Sequence, residues 1–184
     1  MAKDKLVLQL LELFRRYGYE GATLSRISQF TGLGKASLYY HFPGGKEDMV
    51  AAVLDYLEQW FGQHILNPLR SEGSATERLN KMCDRVSELY QGGEQCCLFA
   101  VLLLGEARDL FHDRIKSCLK IWIEAIAEVL IETGVEGKIA RQRAEDAISR
   151  IQGTLILARG LDNLEPFQRT LKQLPDELCQ KEIS

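Results

Sequence analysis

Apolar residues recur along most of this chain at spacings of three and four, the period of helices that each bury one face. In residues 3–17 the stripe is Leu6, Leu10, Leu13, Phe14 and Tyr17, with Gly18 following as a stop. A short helix is predicted after Thr23, whose hydroxyl can accept from an amide of the opening turn while Leu24, Ile27 and Phe30 face inward. Thr31-Gly32-Leu33 supplies a tight turn, because Gly32 can take a positive φ. A second short helix over about residues 35–41 buries Leu38 and Phe42, four apart, and ends at Pro43. A longer one starts beside Glu47 and Asp48, which favour the positive end of a helix dipole. It continues through Met49, Val50, Val53, Leu54, Leu57, Trp60, Phe61, His64 and Ile65 to Asn67-Pro68.

The remainder follows the same period. Ser74 or Thr76 caps a helix reaching about Tyr90, and Gly92-Gly93 breaks the chain again. Residues 96–104 are apolar on every side, which predicts burial all round. Helices over about 109–133 and 138–161 come next. The last, about 164–174, is capped by Asn163 and tolerates Pro166 in its first turn. No strand alternation, repeat or low-complexity tract stands out. The expected fold is all-α with about nine helices, in two parts: residues 1–46, a three-helix unit with a helix-turn-helix, and residues 47–184.

Charge sharpens this division. The whole chain carries −3, which by itself speaks against a nucleic-acid partner. Residues 1–46, however, hold seven Lys/Arg against three acids, a net +4, which leaves −7 for the rest. On the helix over 35–41, with Leu38 and Phe42 turned inward, Lys35, Ala36, Ser37, Tyr39 and His41 are left for a partner. Slim residues at Ala36 and Ser37 suit a major groove about 12 Å wide. Lysine can donate to guanine O6 or N7, and an alanine methyl can meet that of thymine.

Gly21, Thr23, Thr31, Gly32, Leu38, Tyr39, Tyr40, His41, Phe42 and Lys46 fall at fixed intervals. In this the chain resembles the TetR family of one-component bacterial transcriptional regulators over about residues 3–60. The run Phe42-Pro43-Gly44-Gly45-Lys46, one residue longer than in many members, is similar to the LmrA/YxaF-like branch. The resemblance implies a DNA-contacting set of Thr23, Ser25, Lys35, Ala36, Ser37, Tyr39, Tyr40, His41 and Lys46. Of these, Thr23, Tyr39, His41 and Lys46 meet phosphates, and Ser25 lies near the groove edge. A packed aromatic at Tyr39, an interior histidine at His41 and a solvated charge at Lys46 are the competing readings. Gly34 stands where members often carry serine, which leaves one cap and one possible phosphate donor missing.

The resemblance also implies a DNA-binding domain over 1–46, an effector-binding and dimerisation domain over 47–184, a double-stranded operator, a homodimer, and repression relieved by an effector. Leu57, Trp60, Phe61, Met82, Tyr90, Phe99, Leu103, Phe111 and Trp122 could line an apolar, aromatic cavity for a small hydrophobic or aromatic ligand, and could equally be plain core. Ile148, Ile151, Leu155 and Ala158, with Leu164, Phe167 and Leu171, form two stripes that either pack within the protomer or join a twofold mate in a four-helix bundle. Five cysteines, an odd number, read as reduced thiols, buried or thiol-sensing. A grouping of Cys96, Cys97, His112 and Cys118 is too irregular for a zinc site. No cofactor, metal or membrane partner is expected. Neither an HExxH nor a glycine-rich phosphate loop is present, so an enzyme is not expected. The first 20 residues lack a cleavage site, and a cytoplasmic protein is expected. A helical interaction module without specific DNA binding is the rival reading.

Overall fold

The computed structural model describes residues 3–180, which are helical with no strand among them. Along the chain run α1 (Lys3–Gly21), α2 (Leu24–Thr31), α3 (Lys35–His41), α4 (Lys46–Phe61), a π turn (Gly62–Leu66), α5 (Asn67–Leu69), α6 (Ala75–Leu89) and a 3-10 turn (Gln91–Gly93). They are followed by α7 (Leu98–Leu102), α8 (Ala107–Glu132), α9 (Gly137–Gly160) and α10 (Glu165–Cys179). Two compact units emerge. The first comprises Met1–Gln59 and Leu98–Asp113, the second Trp60–Cys97 and Arg114–Ser184.

In the first unit α1 leaves helical geometry at Gly18 (φ 68°, ψ −179°), and one further turn then leads to Gly21. The stop therefore falls at the expected glycine. Leu6, Leu10, Leu13 and Phe14 of α1, Ile27 of α2, Leu38 of α3, Phe42 after it, and Met49, Val50 and Val53 of α4 form the core. Leu24 and Phe30 are only half-buried. Thr23 caps α2, its hydroxyl accepting from Arg26 N at 3.3 Å. Gly32 closes that helix in the left-handed region at φ 72°. The connection is fastened on both sides. The Thr31 hydroxyl donates to Ile27 O at 2.8 Å and accepts from Leu33 N at 3.3 Å, while the Ser28 hydroxyl donates to Leu33 O at 2.6 Å.

α4 begins after Gly45, and Asp48 reaches back to accept from Gly44 N at 2.6 Å. The apolar stripe continues past Phe61 as expected. The helix, however, widens into the π turn, an insertion that periodicity does not register. Residues 96–104 are not buried all round: Leu98 and Leu102 are buried, while Leu104 is 69% exposed. Within the segment only Leu98–Leu102 is helical, and Leu104 follows it on the outside.

In the second unit, Ser74 and Glu77 form a reciprocal capping box at the start of α6. The buried Arg78 donates to Leu69 O at 3.1 Å and pairs with the Glu132 carboxylate. α10 packs on both α6 and α9. It runs past the expected end at residue 174, since Pro175 and Leu178 are themselves buried. Asn163 does bind the first turn, its side-chain oxygen accepting from Glu165 N at 3.0 Å. No helix among the described residues is long and apolar enough to cross a membrane.

A Cβ placed on Gly32 or on Gly34 would meet nothing within 4 Å, but only Gly32 has positive φ. Gly32→Ala should therefore cost about 1 kcal/mol through backbone strain alone. Gly34→Ser, which adds a cap to an extended residue, should gain roughly 0.3 kcal/mol. Urea unfolding midpoints compare the two, and shifts of the same sign would contradict this account of the turn.

Candidate nucleic-acid interface

α3 has only seven residues, and its N-cap Gly34 offers no side-chain hydrogen bond. Its orientation comes from Leu38, 0% exposed, and Phe42, 2% exposed, both set in the core of the first unit. That anchoring leaves Lys35, Ala36 and Ser37 exposed in the first turn, with Tyr39 and Tyr40 exposed beyond them. Tyr40 is the most open, at 84%. Tyr39 is not an interior aromatic: it is 46% exposed, and its ring edge lies beside Gly45, where an added Cβ would sit 3.6 Å away. His41 is half-buried between the rings of Tyr40, at 5.4 Å, and Phe42, at 6.4 Å. Thr23 and Ser25 are exposed at the start of α2.

Lys46 is not a merely solvated charge, because its ammonium rests 4.1 Å from the centroid of the Tyr19 ring. The turn after Gly18 makes this seat. Tyr19 also meets Phe111 edge-on at 6.0 Å, and the Glu20 carboxylate accepts from Glu106 N at 2.9 Å. Backbone amides hold the Glu20 carboxyl below the usual carboxylate range, first its own and then those of Glu106 and Ala107. The Lys46 charge adds to this, and partial desolvation opposes it. Burial, then the charges of Glu47, Glu20 and Glu106, push the Tyr19 phenol upward. Sequence periodicity missed Tyr19 and Glu20, since their partners lie some ninety residues away. Arg26 was missed as well. Its guanidinium sits 4.3 Å over the Tyr17 ring and donates to Gly21 O, and Tyr17 beside an interrupting glycine was the available signal.

The residues considered for an effector cavity divide between the units. In the first, Leu57 and Phe111 are buried and Phe99 and Leu103 half-buried. In the second, Trp122 donates from Nε1 to Met82 Sδ at 3.4 Å and meets Phe61 edge-on at 5.2 Å. Trp60 lies against His64 at 4.8 Å. Tyr90 packs on Phe167 and accepts from Gln152 Nε2 at 3.3 Å. Burial pushes the Cys83 thiol up to about 12, far from a reactive thiolate. Among the described residues no group of three or more His, Cys, Asp or Glu could hold a metal.

The stripes considered for dimerisation or for packing within the protomer lie mostly inside the single chain. Ile148, Ile151, Leu155, Ala158, Phe167 and Leu171 are all buried within the single chain, and Leu164 is half-buried. Packing of α10 on α9 and α6 uses them first. The opposite face of α9 stays open, with Gly153, Ile156, Leu157, Gly160 and Leu161 exposed at spacings of three and one.

A fastened helix-turn-helix that presents a slim polar face, carried on a chain otherwise built wholly of helices, defines the class of helix-turn-helix transcriptional regulators. The comparisons narrow this. The model described as bacterial regulatory proteins, tetR family, matches residues 7–53, and the LmrA/YxaF-like transcriptional regulator C-terminal domain matches residues 75–173, more than half of the chain. The chain belongs to the TetR family, with a C-terminal part of the LmrA/YxaF-like kind. It is 25% identical over 181 residues to the HTH-type transcriptional regulator LmrA of Bacillus subtilis, covering 96% of each chain. A TetR regulator from Legionella pneumophila has the same fold, with TM-score 0.83 and 23% identity over 98% of each chain. A cysteine mutant of the TetR-family regulator CifR, solved with 26-base-pair operator DNA, aligns over 96% of each chain with TM-score 0.77 and 17% identity.

The lowered pKa of Glu20 gives a signed pH effect. A folded value below the unfolded one stabilises the protein fully above the ordinary glutamate range, near pH 4.3, and that contribution is lost as pH falls through the folded value. Glu20→Gln should therefore lower the urea midpoint at pH 7 and converge with the parent protein at acid pH, once the folded carboxyl has been protonated. An equal gap at both pH values would show that the ionised carboxylate does not hold the start of α8.

Proposed function

We propose that this regulator is a repressor that binds a palindromic operator as a homodimer and lets go when a small hydrophobic or aromatic effector binds. The observation that carries the DNA reading is the outward face of α3. Leu38 and Phe42 are fully inside, so Lys35, Ala36 and Ser37 turn toward a groove, while Thr23, Tyr39, His41 and Lys46 flank it for phosphates. The operator complex of CifR supports the reading by likeness of fold. In this scheme residues 1–46 hold the DNA and 47–184 sense and dimerise, and the work is done in the cytoplasm.

For the second copy, the open face of α9 is the favoured surface. Ile156 is 73% and Leu161 64% exposed, and Gly153 and Gly160 leave room for another helix. Two such protomers present two reading helices to half-sites about 34 Å apart. The effector would sit in the second unit among Trp60, Phe61, Met82, Tyr90 and Trp122, where flat apolar surfaces and few polar groups favour an aromatic ligand. Its binding selects a conformer in which the reading helices no longer match the half-sites.

Titration of a tight-binding duplex over a range of salt tests the DNA assignment. Lys46→Ala should weaken all sequences alike and flatten the salt slope by about 1 per protomer, whereas Lys35→Ala should alter base preference. Uniform loss from both would place the reading face elsewhere. In the same assay, an aromatic compound that quenches Trp60 or Trp122 fluorescence should lower operator affinity.

Dimerisation has its own check. Ile156→Glu combined with Leu161→Glu should give a monomer by sedimentation that keeps its helical circular dichroism, since both side chains are exposed on the single chain. A parent protein that sediments as a monomer at micromolar concentration would end the proposal.

A further inference from the structure

Lys46, assigned above to a phosphate, does not reach into solvent as a free arm, and what holds it comes from two distant parts of the chain. The left-handed break at Gly18 swings Tyr19 and Glu20 off the line of α1, which brings the Tyr19 ring under the Lys46 ammonium at 4.1 Å. The ring is itself held by Phe111, edge-on at 6.0 Å. Glu20 fixes the same turn from the other side through the amide of Glu106. At Gly105 (φ +62°) a Cβ would lie 2.6 Å from the Glu20 carboxylate and would make it shift from this position. All of these residues belong to the first unit.

We propose that Tyr19 is a positioning residue for operator binding, seating Lys46 before the duplex arrives, and that the segment Leu98–Asp113 sets this seat through Phe111 and Gly105-Glu106. The proposal rests on the DNA-binding reading above. The physical ground is preorganisation. A lysine side chain has large rotamer entropy, and a residue already resting on an aromatic face loses less of it when it meets a phosphate. The ring's attraction for a cation at a partly exposed site corresponds to about a 2- to 5-fold effect per protomer.

The test uses the full-length chain and a duplex selected by it from a random-sequence library. Tyr19→Phe keeps the ring face and should bind within about 2-fold of the parent. Tyr19→Leu keeps an apolar body against Phe111 but removes the face, and should weaken binding about 2- to 5-fold per protomer. Gly105→Ala, remote from the reading helix, should act in the same direction. In a Lys46→Ala background neither Tyr19→Leu nor Gly105→Ala should have any further effect, because the group they position is gone. Circular dichroism melting curves identify any variant that fails to fold, in which case the Tyr19→Phe and Gly105→Ala arms decide. Losses that add to that of Lys46→Ala, tighter binding by Tyr19→Leu, or a Tyr19→Phe as weak as Tyr19→Leu would each overturn the proposal. These outcomes leave DNA binding itself standing. Failure to select any duplex would instead remove the DNA-binding reading, and this inference with it.

Discussion

A helix of seven residues with a bare glycine at its cap does not hold together alone, since helix nucleation is costly and fewer than about twelve residues rarely repay it in water. In this protein Leu38 and Phe42 supply what the isolated segment lacks. Both sit in the core of the first unit, one turn apart, and burying two side chains of that size contributes roughly 3–6 kcal/mol. The same two residues also fix rotation about the helix axis. A helix pinned at positions four apart has one inward line, and every residue off that line has its direction settled.

The connection before it removes the remaining freedom. Gly32 lets the chain reverse in the left-handed region, while the hydroxyls of Thr31 and Ser28 take up the amide and carbonyl of Leu33 that the turn would otherwise leave unpaired. Serine and threonine are short enough to make such bonds without leaving the first unit's surface. The turn is therefore held by polar contacts and the helix by apolar ones. Lys35, Ala36 and Ser37 project from a support that a partner need not organise.

Much of this was legible in the residues themselves. The cap at Thr23, the glycine turn and the inward pair Leu38 and Phe42 all depend on neighbours within about a turn of chain, and each appears in the structure where the spacing put it. The interior of the second unit was less legible. Stripes along α9 and α10 were apolar enough for two uses, and periodicity alone could not say whether Ile151 or Phe167 faces its own unit or a second copy. Their burial against α6 and each other decides it, leaving Ile156, Leu157 and Leu161 outside. Likewise the apolar run over 96–104 promised burial on every side, and only the structure shows Leu98 and Leu102 inner and Leu104 outer.

By itself the sequence determined most of the helices, their caps and stops and the helix-turn-helix, because each is written in side-chain and backbone preferences acting over one to four residues. Only tertiary structure decided that Lys46 rests on Tyr19, that Glu20 holds the amide of Glu106, and which side of α9 stays open. The two contacts join residues 27 and 86 positions apart. Local periodicity carries no record of separations that long, and they are fixed only when the helices compete for the same core.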